Sequence, residues 1–200
     1  MKFNSKYAPL KFIEELDQKS HLVLLYDSPE YGDLVKYNFI EKGLKKGEHS
    51  IILTHEDPEI IKDEMESQDI NVQKYLKENL LHIYRIENIS EHPEGLVKGF
   101  NELLKTLTKD SNPPYRFMGT TIPDITTREG IEAELAIERL FHSNFSKFDC
   151  SFLCVYNVPE IEKKLHSKWL SELIQNHHHV IYATDPKNSV VFDSDLLDPE

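Results

Sequence analysis

The feature that most narrows the fold is the stretch 21–48, HLVLLYDSPEYGDLVKYNFIEKGLKKGE. Residues 22–26 form an unbroken apolar run, the pattern of a strand buried on both faces. Asp27, Ser28, Pro29 and Glu30 interrupt it. From Tyr31, Leu34, Tyr37, Ile40 and Leu44 recur at helical spacing, with Val35 and Phe39 beside them. Gly43 and Gly47 close that helix, and a second apolar run, 51–54, follows. Strand, helix and strand of these lengths make a βαβ unit. The loop after its first strand lies where α/β sheets bind ligands.

That loop is also where a phosphate-binding motif, G-x-x-x-x-G-K-[ST], would stand. Counted from Asp27, Gly32 falls on its second glycine, but Asp27 replaces the first, Asp33 the lysine and Leu34 the hydroxyl residue. A carboxylate in place of an ammonium repels a triphosphate. The phosphate loop is degenerate: its frame persists without its chemistry.

Two hundred residues suit one α/β domain, taken as 1–200, with an N-terminal helix inside 1–20 and a frayed acidic tail at 193–200. A formal charge of −12 excludes a duplex-wrapping nucleic-acid protein, because neutralising phosphates needs basic patches. No apolar run reaches the ~18 residues of a membrane helix, and the first residues carry no signal-peptide core. Cys150 and Cys154 lie four apart on one expected strand, ~13 Å from each other, too far for a disulfide. Free thiols fit a reducing cytoplasm.

Further along, helices are expected over 7–19, 58–68, 72–78, 92–109, 129–145 and 159–175. Strands are expected over 81–85, 115–119, 150–156 and 180–183, and residues 190–192 pair with the last as a hairpin across DPKNS. Strands alternating with helices throughout imply three layers around a mainly parallel sheet.

The order of these pieces, with EKGLKKGE, THEDPE and DINVQKYLKENLLHIY between them, resembles the RecA-like ATPases related to the circadian-clock protein KaiC. HLVLLYDSPE, IERLF around Glu138, LCVY at 153–156 and the late HHHVI are more similar still to the MEDS domain, the methanogen/methylotroph sensory domain. The resemblance implies a RecA-like fold that has lost its phosphate loop and a sensory role attached to an output. In RecA-like ATPases a catalytic glutamate follows the second strand, where Glu56 and Asp57 stand. The magnesium-binding aspartate should end the fourth strand, where this sequence has Gly119 and no acid before Asp124.

Candidate ligand contacts are Tyr26, Asp27, Ser28, Glu30, Tyr31, Glu56, Thr120, Glu138 and Tyr156. Asp27 and Ser28 have two readings, helix cap or ligand contact. Glu138 lies on a helical face with Ile131, Leu135, His142 and Phe145, so its carboxylate needs a partner: His142 one turn on, or a ligand. His21 reads as a structural hydrogen-bonder and Cys154 as a small buried hydrophobe. His177, His178 and His179 begin a strand and point alternately, which disfavours one ion held by all three. No metal ligand, catalytic residue or cofactor is assigned.

These readings converge on a non-catalytic cytoplasmic sensory domain using the former nucleotide cleft for a small molecule or a partner protein. A neutral or cationic molecule stacked on Tyr26 or Tyr156 suits an electronegative, aromatic edge. Expected partners are that ligand, a separate signalling output protein and the chain itself as a homo-oligomer, with neither nucleic acid nor membrane. The alternatives are a nucleotide-binding enzyme with an atypical phosphate site, with Glu56 or Asp57 as base, and a purely structural interaction subunit.

Overall fold

A computed structural model of the chain describes residues 8–161 and 167–197. Seven strands form one sheet: β1 (His21–Tyr26), β2 (His49–Thr54), β3 (Leu81–Arg85), β4 (Tyr115–Gly119), β5 (Cys150–Asn157), β6 (His179–Ala183) and β7 (Val190–Asp193). Their order is β3-β2-β4-β5-β1-β6-β7, and every pairing is parallel except β6 with β7. The helices are α1 (Ala8–Glu15), α2 (Pro29–Lys46), α3 (Pro58–Ser67), α4 (Val72–Lys77), α5 (Leu96–Thr108), α6 (Arg128–Asn144), α7 (Val158–Ile161) and α8 (Ser167–Gln175).

The sheet divides the core in two. Leu22, Leu24, Ile52, Met118, Leu153 and Ile181 pack against α1 to α4. Val23, Leu25, Leu53, Phe117, Phe152 and Cys154 pack against α5, α6 and α8. Successive strand residues face opposite ways, so the unbroken apolar run of β1 feeds both layers.

Local chemistry fixes the helix ends. Gly47 takes the left-handed conformation after α2, and Pro29 stands in its first turn. Asp57 caps α3 by accepting from the Glu59 amide, and Thr127 caps α6 by accepting from the Gly130 amide.

Two expectations need correction. The helix expected from 92 starts at Leu96, because Gly95 (φ +89°) breaks the chain after a 3-10 turn at Ile89–Glu91. Of the helix expected over 159–175, the described residues are helical, as α7 and α8, and residues 162–166 lie outside the described residues. The tail is not frayed from 193. Asp193 ends β7, Ser194–Leu197 form a 3-10 turn, and Ser194 is buried with its amide donating to the His178 carbonyl (3.1 Å). Among the described residues no helix is long and apolar enough to cross a membrane.

Candidate functional site

The expected candidates do not gather in one cleft. Tyr26 faces the α2 layer: its ring packs on Gly32, where an added Cβ would sit 2.6 Å from it. Asp27 and Glu30 are exposed, and Ser28 and Tyr31 half-buried, in the loop and first turn of α2. Ser28 occupies the cap position without a side-chain hydrogen bond, so the capping reading fails for it. Asp33 pairs with Lys36 (2.6 Å), which also lies over the Tyr26 and Tyr37 rings. Glu56 is exposed just after β2, its amide bonded to the Thr54 hydroxyl (3.0 Å).

Tyr156, Glu138 and Thr120 lie on the other face. The register sets Tyr26 beside Asn157 and Leu25 beside Tyr156. The tyrosine expected to share a pocket with Tyr26 therefore points into the opposite layer. Its ring is fully buried with Trp169 edge-on against it (6.0 Å between centroids), leaving the hydroxyl as its reactive feature.

That hydroxyl joins two buried carboxylates. Tyr156 Oη lies 2.8 Å from Glu134 Oε1 and 2.6 Å from Glu138 Oε1. One hydroxyl proton can serve only one of them, so one carboxyl must itself carry a proton and donate to the tyrosine oxygen. Glu134 is that acid. Burial, then the charge of Glu138, pushes it up to about 8. Its Oε2 accepts from the Thr121 hydroxyl and the Ile122 amide, both at 3.1 Å. Burial first, and the two carboxylates after it, raise the Tyr156 phenol well above its ordinary value.

Glu138 turns its other oxygen toward the amino edge of the sheet. Oε2 stands 3.1 Å from His21 Nε2 and 3.4 Å from His177 Nε2, and His21 Nε2 is 3.4 Å from Cys154 Sγ. His21, Glu138, Cys154 and His177 are all at most 3% exposed. Burial lowers both histidines, His177 to about 3. Burial, then Glu138 and Glu134, raises the Cys154 thiol. The expected partner of Glu138, His142, is not in this contact. It lies against the His178 ring instead (5.0 Å between centroids). The three consecutive histidines do diverge: His177 points inward, His178 Nδ1 accepts from the His21 amide (2.9 Å), and His179 meets Asp193 (2.6 Å).

A polar seam thus runs through an apolar layer, from Thr121 at the carboxyl edge through Glu134, Tyr156 and Glu138 to the histidines and Cys154. Beside it a cavity of about 10 Å³, lined by Thr120, Thr121, Glu134, Glu138 and Cys154 among others, has the room of one water. Sequence reasoning missed Glu134, whose signal was its position one turn before Glu138 on the buried face of α6. It missed His21 and His177 as neighbours of Cys154, because 133 residues separate His21 from Cys154. A separate open cleft of about 940 Å³, bordered by His55, Tyr84, Arg85, Asn88, His92 and Pro123, contains none of the expected residues.

Gly119 ends β4 with φ +135°, and a Cβ there would collide with the Leu53 carbonyl. No aspartate fits in this backbone position.

The chain is similar to a KaiC-like protein from Pyrococcus horikoshii OT3: TM-score 0.63, 16% identity, covering 87% of this chain and 78% of that one. A second protein from Pyrococcus horikoshii OT3 matches with TM-score 0.61 and 11% identity, over 92% of this chain and 91% of its own. The fold is therefore RecA-like, three layers about a mostly parallel sheet. No curated protein matches significantly by sequence. The family model of the MEthanogen/methylotroph, DcmR Sensory domain matches residues 20–188, and the chain belongs to that family.

Proposed function

We propose that this is a non-catalytic, cytoplasmic sensory domain that binds a small neutral or cationic molecule at the carboxyl edge of the sheet. The molecule engages the seam where Thr120 and Thr121 meet Glu134, Glu138 and Tyr156, and a separate output protein reads the change. The observation that supports this is the pair of carboxylates sharing one proton through Tyr156 at a site with almost no free volume. Buried acids are costly unless paired, and such clusters are where proteins place recognition chemistry. A molecule bringing its own hydrogen-bond donor takes the place of that proton. A ligand larger than one water needs residues 120–127, between β4 and α6, to open.

Family membership favours sensing, and three features weigh against nucleotide chemistry. Asp33 stands in the lysine position, the Tyr26 ring lies against Gly32, and Gly119 has no room for a side chain. The test is a thermal-shift screen of small amines, alcohols and amides, followed by affinity measurements on folded variants. Glu134→Gln, Thr121→Val and Tyr156→Phe should each weaken the hit by roughly tenfold to a hundredfold, about 1–3 kcal/mol. Tyr26→Ala and Glu56→Gln should bind like wild type. The reverse pattern would place the site in the α2 layer and overturn the proposal.

A further inference from the structure

At the inner end of the seam, side chains with metal-ligating atoms converge. His177 Nδ1 lies 2.7 Å from the Leu173 carbonyl, so it carries the ring proton and donates it there. Its Nε2 is then a bare acceptor. It is buried, makes no hydrogen bond among the described residues, and faces Glu138 Oε2 at 3.4 Å. Two acceptors turned toward each other in an apolar layer repel unless something positive sits between them. His21 Nε2 and Cys154 Sγ complete the group, and the four donor atoms lie within 4.8 Å of one another.

We infer that His21, Glu138, Cys154 and His177 form a binding site for one divalent transition-metal ion, zinc by donor chemistry. The set is two imidazoles, a carboxylate and a thiolate, which zinc takes in tetrahedral geometry. With Zn–N of about 2.0–2.1 Å and Zn–S of about 2.3 Å, neighbouring ligand atoms sit roughly 3.3–3.8 Å apart. The three separations His21–Glu138 (3.1 Å), His177–Glu138 (3.4 Å) and His21–Cys154 (3.4 Å) are already close to that. The widest gap in the group must close by about 1 Å.

Two further features fit an ion. Two of the ligands are already oriented from behind: the Leu173 carbonyl fixes the His177 tautomer, and the Tyr156 hydroxyl holds the outer oxygen of Glu138. Charge also balances. A dication with the Glu138 carboxylate and the Cys154 thiolate sums to zero, the only total a buried layer tolerates cheaply. Binding therefore displaces the Cys154 thiol proton to solvent. The sequence assigned no metal ligand because these four come from β1, α6, β5 and the turn before β6.

The site does not depend on a small molecule at the carboxyl edge, and its test uses metal alone. Chelator-stripped full-length protein is titrated with Zn²⁺ against a colorimetric chelator, and in parallel with Co²⁺. One equivalent should bind, with release of about one proton. The cobalt form should show tetrahedral visible bands and a thiolate charge-transfer band. Cys154→Ser should abolish the charge-transfer band, and His177→Gln should weaken zinc binding by at least ~100-fold. If a variant does not fold, X-ray absorption on the wild-type zinc complex decides: one sulfur and three nitrogen or oxygen neighbours support the site. Substoichiometric zinc, a shell without sulfur, or both variants binding like wild type would overturn it. Thr121→Val should keep full zinc affinity, so loss of the small-molecule reading leaves this result unaffected.

Discussion

Glu134 keeps a proton at neutral pH because its carboxyl is buried and lies beside the charge of Glu138. Together these outweigh the hydrogen bonds of Tyr156 and Thr121, which favour its ionised form. In the unfolded chain the group has its ordinary value of 4.5, and in the folded chain about 8. Below the first value both states hold the proton and the group contributes no pH dependence. Between the two, the folded state binds a proton that the unfolded state has released, so stability falls as pH rises. The buried histidines, lowered in the fold, act with the opposite sign on the acid side and are common to both proteins in a comparison. Glu134→Gln in chelator-treated protein should therefore lose little at about pH 5 and gain relative to wild type toward about pH 9. The gain should be roughly 1–2 kcal/mol, read from urea midpoints. A difference constant across that range would show that Glu134 does not hold the proton. The residue's type and place on α6 were readable in the sequence. Its protonation was not, because it depends first on the burial that packing against β5 and the β4–α6 connection imposes.

At the scale of elements, α2 is fastened to β4 through a buried cation. Arg116 donates to Glu48 at 2.6 and 3.2 Å and to the Phe39 carbonyl at 3.2 Å, and its guanidinium lies over the Phe39 ring. Gly43 leaves the space for it: a Cβ there would meet Arg116 Cδ at 2.5 Å. Removing one partner of a buried pair leaves a charge unpaired, which costs about 3–5 kcal/mol, against less than about 1 for a surface pair. Glu48→Ala should cost near the upper figure in urea unfolding, and adding Arg116→Met should recover part of the loss. A single-variant cost under about 1 kcal/mol would mean that solvent reaches the guanidinium. The sequence shows α2 through its apolar spacing and Gly47, beginning it at Tyr31 where the structure begins it at Pro29. It shows β4 as a strand without revealing where the arginine in YRFMG goes, because the partner Glu48 lies 68 residues earlier.

At the scale of the molecule, the alternation of strands and helices makes the layered architecture legible, and the family match over 20–188 and the RecA-like neighbours agree with it. What periodicity cannot supply is the register between strands distant in sequence. Aligning Tyr26 with Tyr156 instead of Asn157 would have put both tyrosines on one face, and that single step separates the expected cleft from the observed seam. The same architecture decides the fate of nucleotide. An ATP site on this frame needs three things at the carboxyl edge: a loop open to phosphate, a cation within it and an acid for magnesium. Here the Tyr26 ring lies against Gly32, the nearby Lys36 is paired with Asp33, and the end of β4 admits no side chain because Gly119 abuts the Leu53 carbonyl. Restoring one part does not restore the others, so a Asp33→Lys variant should remain as inert as the wild type. Calorimetric titration with ATP–magnesium should show no saturation below about millimolar concentration, a binding free energy weaker than about −4 kcal/mol. Phosphate release should not exceed the protein-free rate. Saturable micromolar binding with turnover would overturn both this prediction and the non-catalytic reading of the family's fold in this chain.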